Sequence, residues 1–343
     1  MIGVLLLTGF LGSGKTTLLR HLLRQPAFSR TAVIINEFGE VGLDHELVEA
    51  STDSFIELQT GCLCCKVRND LVETIDEMLC RRDGGTVPPF TRIVIETSGL
   101  ADPAPILQTL MTHAAGRLVL DGVVTTVDAV NGASTLAREP VSIKQVALAD
   151  RLVLTKSDLA GCPQHLLLDR LAQLNTAAPP VTAHHGSIDP ALLEGVALDP
   201  RTRSLAIEAW LGEAASARRH RHARHDSEIQ AYAVVRDDPL HAIALTLFLE
   251  ALAEHCGAGL LRLKGIVDIA ESPGRPAVIH GVQHVFHPPA WLPHWPCDDR
   301  RTRIVLITRG IPRRWVEVLL DALEAEVVAA AAGPEGPGKG GAI

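Results

Sequence analysis

The chain has 343 residues, 47% of them hydrophobic and 21% charged, with a formal net charge of -8. That length favours two domains over one, and an acidic balance without a long basic run argues against a nucleic-acid surface as the main function. Seven cysteines in a chain that opens without a secretory leader favour a cytoplasmic protein with metal ligands or redox groups over one held by disulfides.

The opening stretch, MIGVLLLTGF, has no charged leader and no small-residue cleavage site, so Val4 to Thr8 is predicted as a buried strand. No run reaches the roughly 18 continuous apolar residues of a membrane span, and no membrane partner is expected. Gly9-Phe-Leu-Gly-Ser-Gly-Lys-Thr16 then fits G-x-x-x-x-G-K-[ST], between that strand and a predicted helix from Lys15 to Gln25. Gly9, Gly12 and Gly14 let backbone amides turn inward around phosphate oxygens, and the helix N-terminus adds the positive end of its dipole. Lys15 is placed to reach the outer phosphates and the Thr16 hydroxyl to ligate Mg²⁺, with Ser13 and Thr17 completing the nucleotide contacts.

A second strand, Ala32 to Ile35, leads into Asn36-Glu-Phe-Gly-Glu-Val-Gly-Leu-Asp44 and then Gly61-Cys-Leu-Cys-Cys65. In P-loop GTPases this interval holds the segment that the γ-phosphate and Mg²⁺ order and that hydrolysis releases. A loop bent around Cys62, Cys64 and Cys65 can converge thiolates on one ion, and thiolates prefer Zn²⁺ and other late or soft metals to Mg²⁺ or Ca²⁺. Gly61 before the cluster and Lys66 and Arg68 after it suggest an accessible, positive setting that favours thiolate. The rival reading is that these cysteines pack as small hydrophobes, as expected for the isolated Cys80, Cys162 and Cys256. A redox pair would have the spacing C-x-x-C rather than C-x-C-C. Three thiolates leave a fourth tetrahedral position, for which Glu37, Glu40 and His113 are the candidates. The two acids could instead face solvent or position water, and His113 could cap its helix.

After a predicted helix from Asn69 to Arg81, Arg92-Ile-Val-Ile-Glu-Thr-Ser-Gly99 is a buried strand ending in an acid. Glu96 can hold Mg²⁺ through water, or cap a helix, while the Gly99 amide can contact a γ-phosphate. Helices from Pro105 to His113 and His165 to Leu174, and strands Gly122 to Val127 and Arg151 to Thr155, complete the alternation of a mainly parallel sheet covered by helices. The last strand ends in Thr155-Lys-Ser-Asp158, where the Asp158 carboxylate can accept guanine N1-H and N2-H and the Lys156 stem can pack along the base. That donor pair is absent from adenine and argues for GTP over ATP; Thr155 stands where common GTPases carry Asn. His184-His185-Gly186 is placed in a loop near the guanine end.

Composition changes near residue 205. The expected organisation is a P-loop domain over 1–205, a polar linker with His220, His222 and His225 over 206–227, a small α+β domain with a largely antiparallel sheet over 228–326, and a disordered Ala/Gly/Pro tail over 327–343.

Taken in order, GFLGSGKTTLL, INEFGEVGLD, GCLCC, ETSGLADP and TKSD resemble the CobW-type family of P-loop GTPases, over about Met1 to Thr182. LLRLKGIVDI, HGVQHVFHPP and RIVLITRGI resemble that family's C-terminal domain more loosely. The resemblance implies a GTPase metallochaperone that binds Zn²⁺, Co²⁺ or Ni²⁺ at the C-x-C-C motif. It would deliver the ion to a client metalloprotein, a metal-insertion enzyme or a cofactor pathway such as cobalamin biosynthesis, and a homo-oligomer is compatible with it. Two rivals from other classes are a small-molecule kinase, which would leave phosphate on an acceptor, and a GTP-regulated binding module with a structural zinc.

Overall fold

A computed structural model describes residues 1–36, 55–57, 63–66, 71–113, 116–159, 164–193 and 229–332. The chain divides into two compact units, Met1–His225 and Asp226–Ile343; the expected linker, 206–227, lies outside the described residues. The first unit is an eight-stranded sheet ordered β3-β4-β2-β5-β1-β6-β7-β8. Its strands are β1 (Ile2–Gly9), β2 (Thr31–Asn36), β3 (Phe55–Glu57), β4 (Leu63–Lys66), β5 (Arg92–Thr97), β6 (Leu118–Asp128), β7 (Arg151–Thr155) and β8 (Pro180–Thr182). All pairings are parallel except that of β3 with β4. The helices are α1 (Lys15–Leu23), α2 (Leu71–Asp83), α3 (Pro103–His113), α4 (Gly132–Arg138), α5 (Pro140–Leu148) and α6 (His165–Leu174).

Parallel strands are covered on both faces, which is why β1 carries apolar residues without alternation: Val4, Leu5, Leu6 and Leu7 are each at most 2% exposed. Leu18, Leu19, Leu22 and Leu23 repeat at helical spacing along α1 and pack with Leu5, Leu7, Val33, Val94 and Val124 on one face of the sheet. This packing sets the N-terminus of α1 at the carboxyl ends of β1, β5 and β6.

The cysteine stretch departs from expectation. Leu63 to Lys66 is a strand rather than a bent loop, with Cys64 and Cys65 in register with Val33 and Ile34 of β2 on one side and with Ile56 and Phe55 of β3 on the other. α4 and α5 also lie where the sequence reading placed no helix.

The second unit is an antiparallel sheet ordered β12-β11-β10-β14-β9, with β13 pairing β11. It comprises β9 (Ile229–Arg236), β10 (Leu260–Val267), β11 (Ala277–Val282), β12 (Val285–Phe286), β13 (Ala290–Trp291) and β14 (Thr302–Arg309), with α7 (Ala242–Cys256) and α8 (Arg313–Ala332). β11 and β12 are joined by a turn at Gln283, whose φ is 54°. α8 runs to Ala332, so residues 327–332 are helical instead of belonging to a disordered tail, as the high helix propensity of its alanines allows.

One 18-residue window, Ala242–Gly259, reaches a mean hydropathy of 1.2 and is long enough to cross a membrane by length and composition. One face of it is core: Leu245, Phe248, Leu249 and Leu252 are buried against Val234, Leu263, Ile304 and Leu320, while Ile243 and Leu247 are exposed. Phe248 is fully buried there, so Phe248→Ala is expected to destabilise this unit by about 3–5 kcal/mol. The check is a lower denaturant midpoint at unchanged slope; an unchanged midpoint would remove Phe248 from the core.

Candidate functional site

The loop after β1 is shaped by what crowds it. Gly9 has φ 140°, and a Cβ there would lie 2.4 Å from Thr126 Oγ1 and 2.5 Å from Thr126 O, so only glycine fits. The chain then turns through Gly12 and enters α1 at Gly14, which has φ 89° and makes no side-chain cap. The first amides of an α-helix have no intrahelical acceptor, so an anion is the natural partner for this end of α1.

Hydroxyls tie the loop to neighbouring strand ends. Ser13 Oγ and Thr126 Oγ1 are 2.6 Å apart, and Thr155 Oγ1 donates to Ser13 O at 2.7 Å. The threonine at the position where common GTPases have Asn thereby fastens the loop to β7. Lys15, 9% exposed, donates from Nζ to Gly9 O at 3.0 Å and Phe10 O at 3.2 Å. Its ammonium therefore lies at the mouth of the loop.

Thr16 and Glu96 are brought together as the sequence suggested. Thr16 Oγ1 donates to Glu96 Oε1 at 2.7 Å, and Glu96, 2% exposed, is the penultimate residue of β5, beside Leu7 of β1. A hydroxyl and a buried carboxylate at the phosphate loop are hard oxygen donors that fit Mg²⁺. Beyond them, Gly99 lies against the loop so closely that a Cβ would fall 2.6 Å from Leu11 N.

Beside the same N-terminal end of α1, Lys156 (φ 56°) and Asp158 follow β7, whose last residue, Thr155, is bonded to Ser13. Lys156 Nζ is held by Asp128 Oδ2 at 2.8 Å, a partner the sequence reading did not assign. His185 Nδ1 lies 3.3 Å from Asp158 Oδ2. The tight turn between His184 and Ser187 is anchored beside α1, since a Cβ on Gly186 would meet His21 and Thr17 at 2.7 and 2.9 Å. Asp158, the 184–187 turn and α1 therefore bracket one end of the site. Asp128 had a detectable signal, an acid at the carboxyl end of a strand in Thr-Thr-Val-Asp128.

Of the other candidates, Glu37, Glu40 and Cys62 lie outside the described residues, as do the side chains of Cys64, Cys65 and His113. Among the described residues no group of three or more His, Cys, Asp or Glu is arranged to hold a metal. Cys80, expected to pack inside, is exposed on α2, while Cys256 is half-buried and its thiol pKa is raised by burial.

Known proteins place this geometry. Residues 3–182 match the CobW/HypB/UreG nucleotide-binding domain, and residues 229–324 match the cobalamin synthesis protein cobW C-terminal domain. The chain belongs to the CobW/HypB/UreG family. It is 36% identical over 313 residues to the zinc chaperone YjiA of Escherichia coli strain K12, covering 91% of this chain and 95% of that one. It is 32% identical to the zinc chaperone CobW of Pseudomonas aeruginosa, covering 89% and 86%. The crystal structure of Zn(II)-bound YjiA GTPase from E. coli superposes with a TM-score of 0.71 at 33% identity, covering 94% of this chain and 98% of that one.

Asp128 offers a pH test of this CobW-type site. Burial works against its charge, but bonds from Lys156, Asn131 and Val130 hold its carboxyl below the ordinary carboxylate value. A depressed carboxylate stabilises the fold above its ordinary pKa, and that stability disappears as pH falls through the depressed one. Asp128→Asn is therefore expected to be less stable than wild type at neutral pH, with the gap closing in strong acid. A gap that stays constant with pH in chemical denaturation would contradict the ion pair.

Proposed function

We propose that this chain is a GTP-hydrolysing metallochaperone that binds zinc through its C-x-C-C motif and hands it to a client metalloprotein. The observation that carries the reading is the Thr16–Glu96 pair set beneath the phosphate loop, in a chain similar over nearly its whole length to proteins named as zinc chaperones.

In this reading the amides of Gly12 to Thr17 and the Lys15 ammonium hold the β- and γ-phosphates. Asp158 selects guanine through N1-H and N2-H, and His185 must yield that carboxylate when the base arrives. Mg²⁺, when bound, screens the charge developing between the phosphates. Thr16 and Glu96 are the residues that would hold it. The Gly99 amide donates to the γ-phosphate, so the loop after β5 detects its loss.

Zinc is the cargo. Cys62, Cys64 and Cys65 supply thiolates, with Glu37, Glu40 and His113 as candidates for the remaining position. Cys64 and Cys65 sit on β4, paired in register with β2. β2 ends at Asn36, where the stretch expected to respond to the γ-phosphate begins. The route from nucleotide to thiolates is therefore short in the chain and runs through adjacent strands. Nucleotide control requires only that the two nucleotide states differ in metal affinity; a ratio of roughly 100-fold corresponds to about 2.7 kcal/mol.

Titration of Zn²⁺ into protein loaded with Mg²⁺ and a non-hydrolysable GTP analogue, then with GDP, tests the coupling. Tighter binding in the analogue state is expected, and Cys64→Ser is expected to weaken it by about tenfold or more. Equal affinities in the two states would reject the coupling. Unchanged zinc binding in Cys64→Ser would remove the thiolate site. Co²⁺ and Ni²⁺ in the same titration decide the metal preference.

A further inference from the structure

α5 is fixed to its surroundings more firmly than a nine-residue helix requires. Thr125 Oγ1 of β6 donates to the Gln145 carbonyl at 2.8 Å. Asn175 Nδ2, just beyond α6, donates to Val146 O at 2.8 Å and Ala149 O at 2.9 Å at its C-terminal end. So held, α5 extends two adjacent side chains to the loop that follows β5.

Gln145, 1% exposed, donates from Nε2 to Gly99 O at 3.0 Å and to Ala101 O at 3.1 Å. Lys144 Nζ pairs with Asp102 Oδ2 at 2.5 Å, and Asp102 Oδ1 accepts from Ala104 N at the start of α3. Because both neighbours of the Gln145 amide nitrogen are carbonyl oxygens, the orientation of the amide is forced. Its Oε1 is consequently turned away, buried and without a hydrogen-bond partner among the described residues. An amide buried with its acceptor unsatisfied is a poor packing residue, and a leucine would fill similar space without that penalty. What the amide supplies is a double grip on the backbone at Gly99 and Ala101. Gly99 is also the residue whose backbone presses on the phosphate loop at Leu11.

We propose that Gln145 is a positioning residue for GTP hydrolysis: by fixing the carbonyls of Gly99 and Ala101 to a rigid helix, it holds the Gly99 amide at the γ-phosphate. Lys144 steadies the same loop through Asp102. The inference rests on the GTPase reading of the phosphate loop and adds to it a residue that touches no nucleotide. Preorganised donors lower a barrier because they need no rearrangement as charge develops. GDP has no γ-phosphate, so the grip serves turnover and leaves GDP binding alone.

The test measures GTP turnover with Mg²⁺, GDP affinity and thermal midpoint on the full chain, for wild type, Gln145→Leu, Gln145→Glu and Lys144→Met. Gln145→Leu is expected to lower kcat by about tenfold or more while KM for GTP and the Kd for GDP change by less than about twofold. Gln145→Glu, which points a carboxylate at two carbonyls, is expected to lose at least as much. An unchanged kcat in Gln145→Leu overturns the proposal, as does a loss of GDP affinity matching the loss of kcat/KM, which is the pattern of a merely structural residue. Should Gln145→Leu fail to fold, Lys144→Met decides, because that side chain is 29% exposed: a decline in kcat of about threefold at constant GDP affinity supports the grip, and no decline overturns it. Absence of GTP turnover in wild type would instead bring down the GTPase reading, a failure distinct from a normal wild type with unaffected variants.

Discussion

The first unit depends on keeping one short loop in a conformation that a free chain would rarely hold. Backbone amides turned toward a common point repel one another until an anion arrives, and Gly9, Gly12 and Gly14 all have positive φ. Side chains from three strands hold that arrangement: Thr126 on β6 through Ser13, Thr155 on β7 through the Ser13 carbonyl, and Glu96 on β5 through Thr16. A parallel sheet makes this economical, because it delivers the carboxyl ends of β1, β5, β6 and β7 to the same edge. The core beneath, where the leucines of α1 pack on β1 and β2, keeps the helix N-terminus at that edge. Binding then avoids most of the ordering that a flexible loop would require.

Under the proposed function, the same edge offers a route for a nucleotide signal. Glu96 and Gly99 are three residues apart, so the group beside Thr16 and the amide proposed to contact the γ-phosphate belong to one short piece of chain. That piece is bonded to α5 by Gln145 and Lys144 and capped onto α3 by Asp102. On its other flank, β5 pairs with β2, and β2 pairs with β4, which carries Cys64 and Cys65. Strand neighbours thus connect the phosphate-loop end of the sheet to the strand that carries Cys64 and Cys65 without a long lever.

Much of this was legible in the residues. Buried parallel strands announce themselves as unbroken Val/Ile/Leu runs, and the glycine pattern of the phosphate loop has few other uses, so β1, β2, β5, β6 and β7 were placed within a few residues. α4 and α5 were not, because seven and nine residues are too few for a clear helical period and Gly132 and Pro140 look like breaks; Pro140 in fact begins α5. β4 escaped because Gly61 and the cysteines resemble a metal loop and contain no β-branched residue, and the pairing of β4 with β2 is non-local. Lys156 illustrates a subtler limit. Its type and spacing pointed to the base, yet the ammonium rests on Asp128, 28 residues earlier in the chain, a contact that only the folding of β6 beside β7 creates. The C-terminal unit was read correctly as mixed α and antiparallel β, since its alternation and helical stripes are local signals.

A crystal structure of the full chain with Mg²⁺ and a non-hydrolysable GTP analogue tests the central claim most directly. The account predicts phosphates cradled by Gly9 to Thr16, the Thr16–Glu96 hydrogen bond opened to admit the ion, and guanine on Asp158 with His185 displaced. Phosphates bound elsewhere, or the Thr16–Glu96 bond intact with the ion held by other residues, would contradict it.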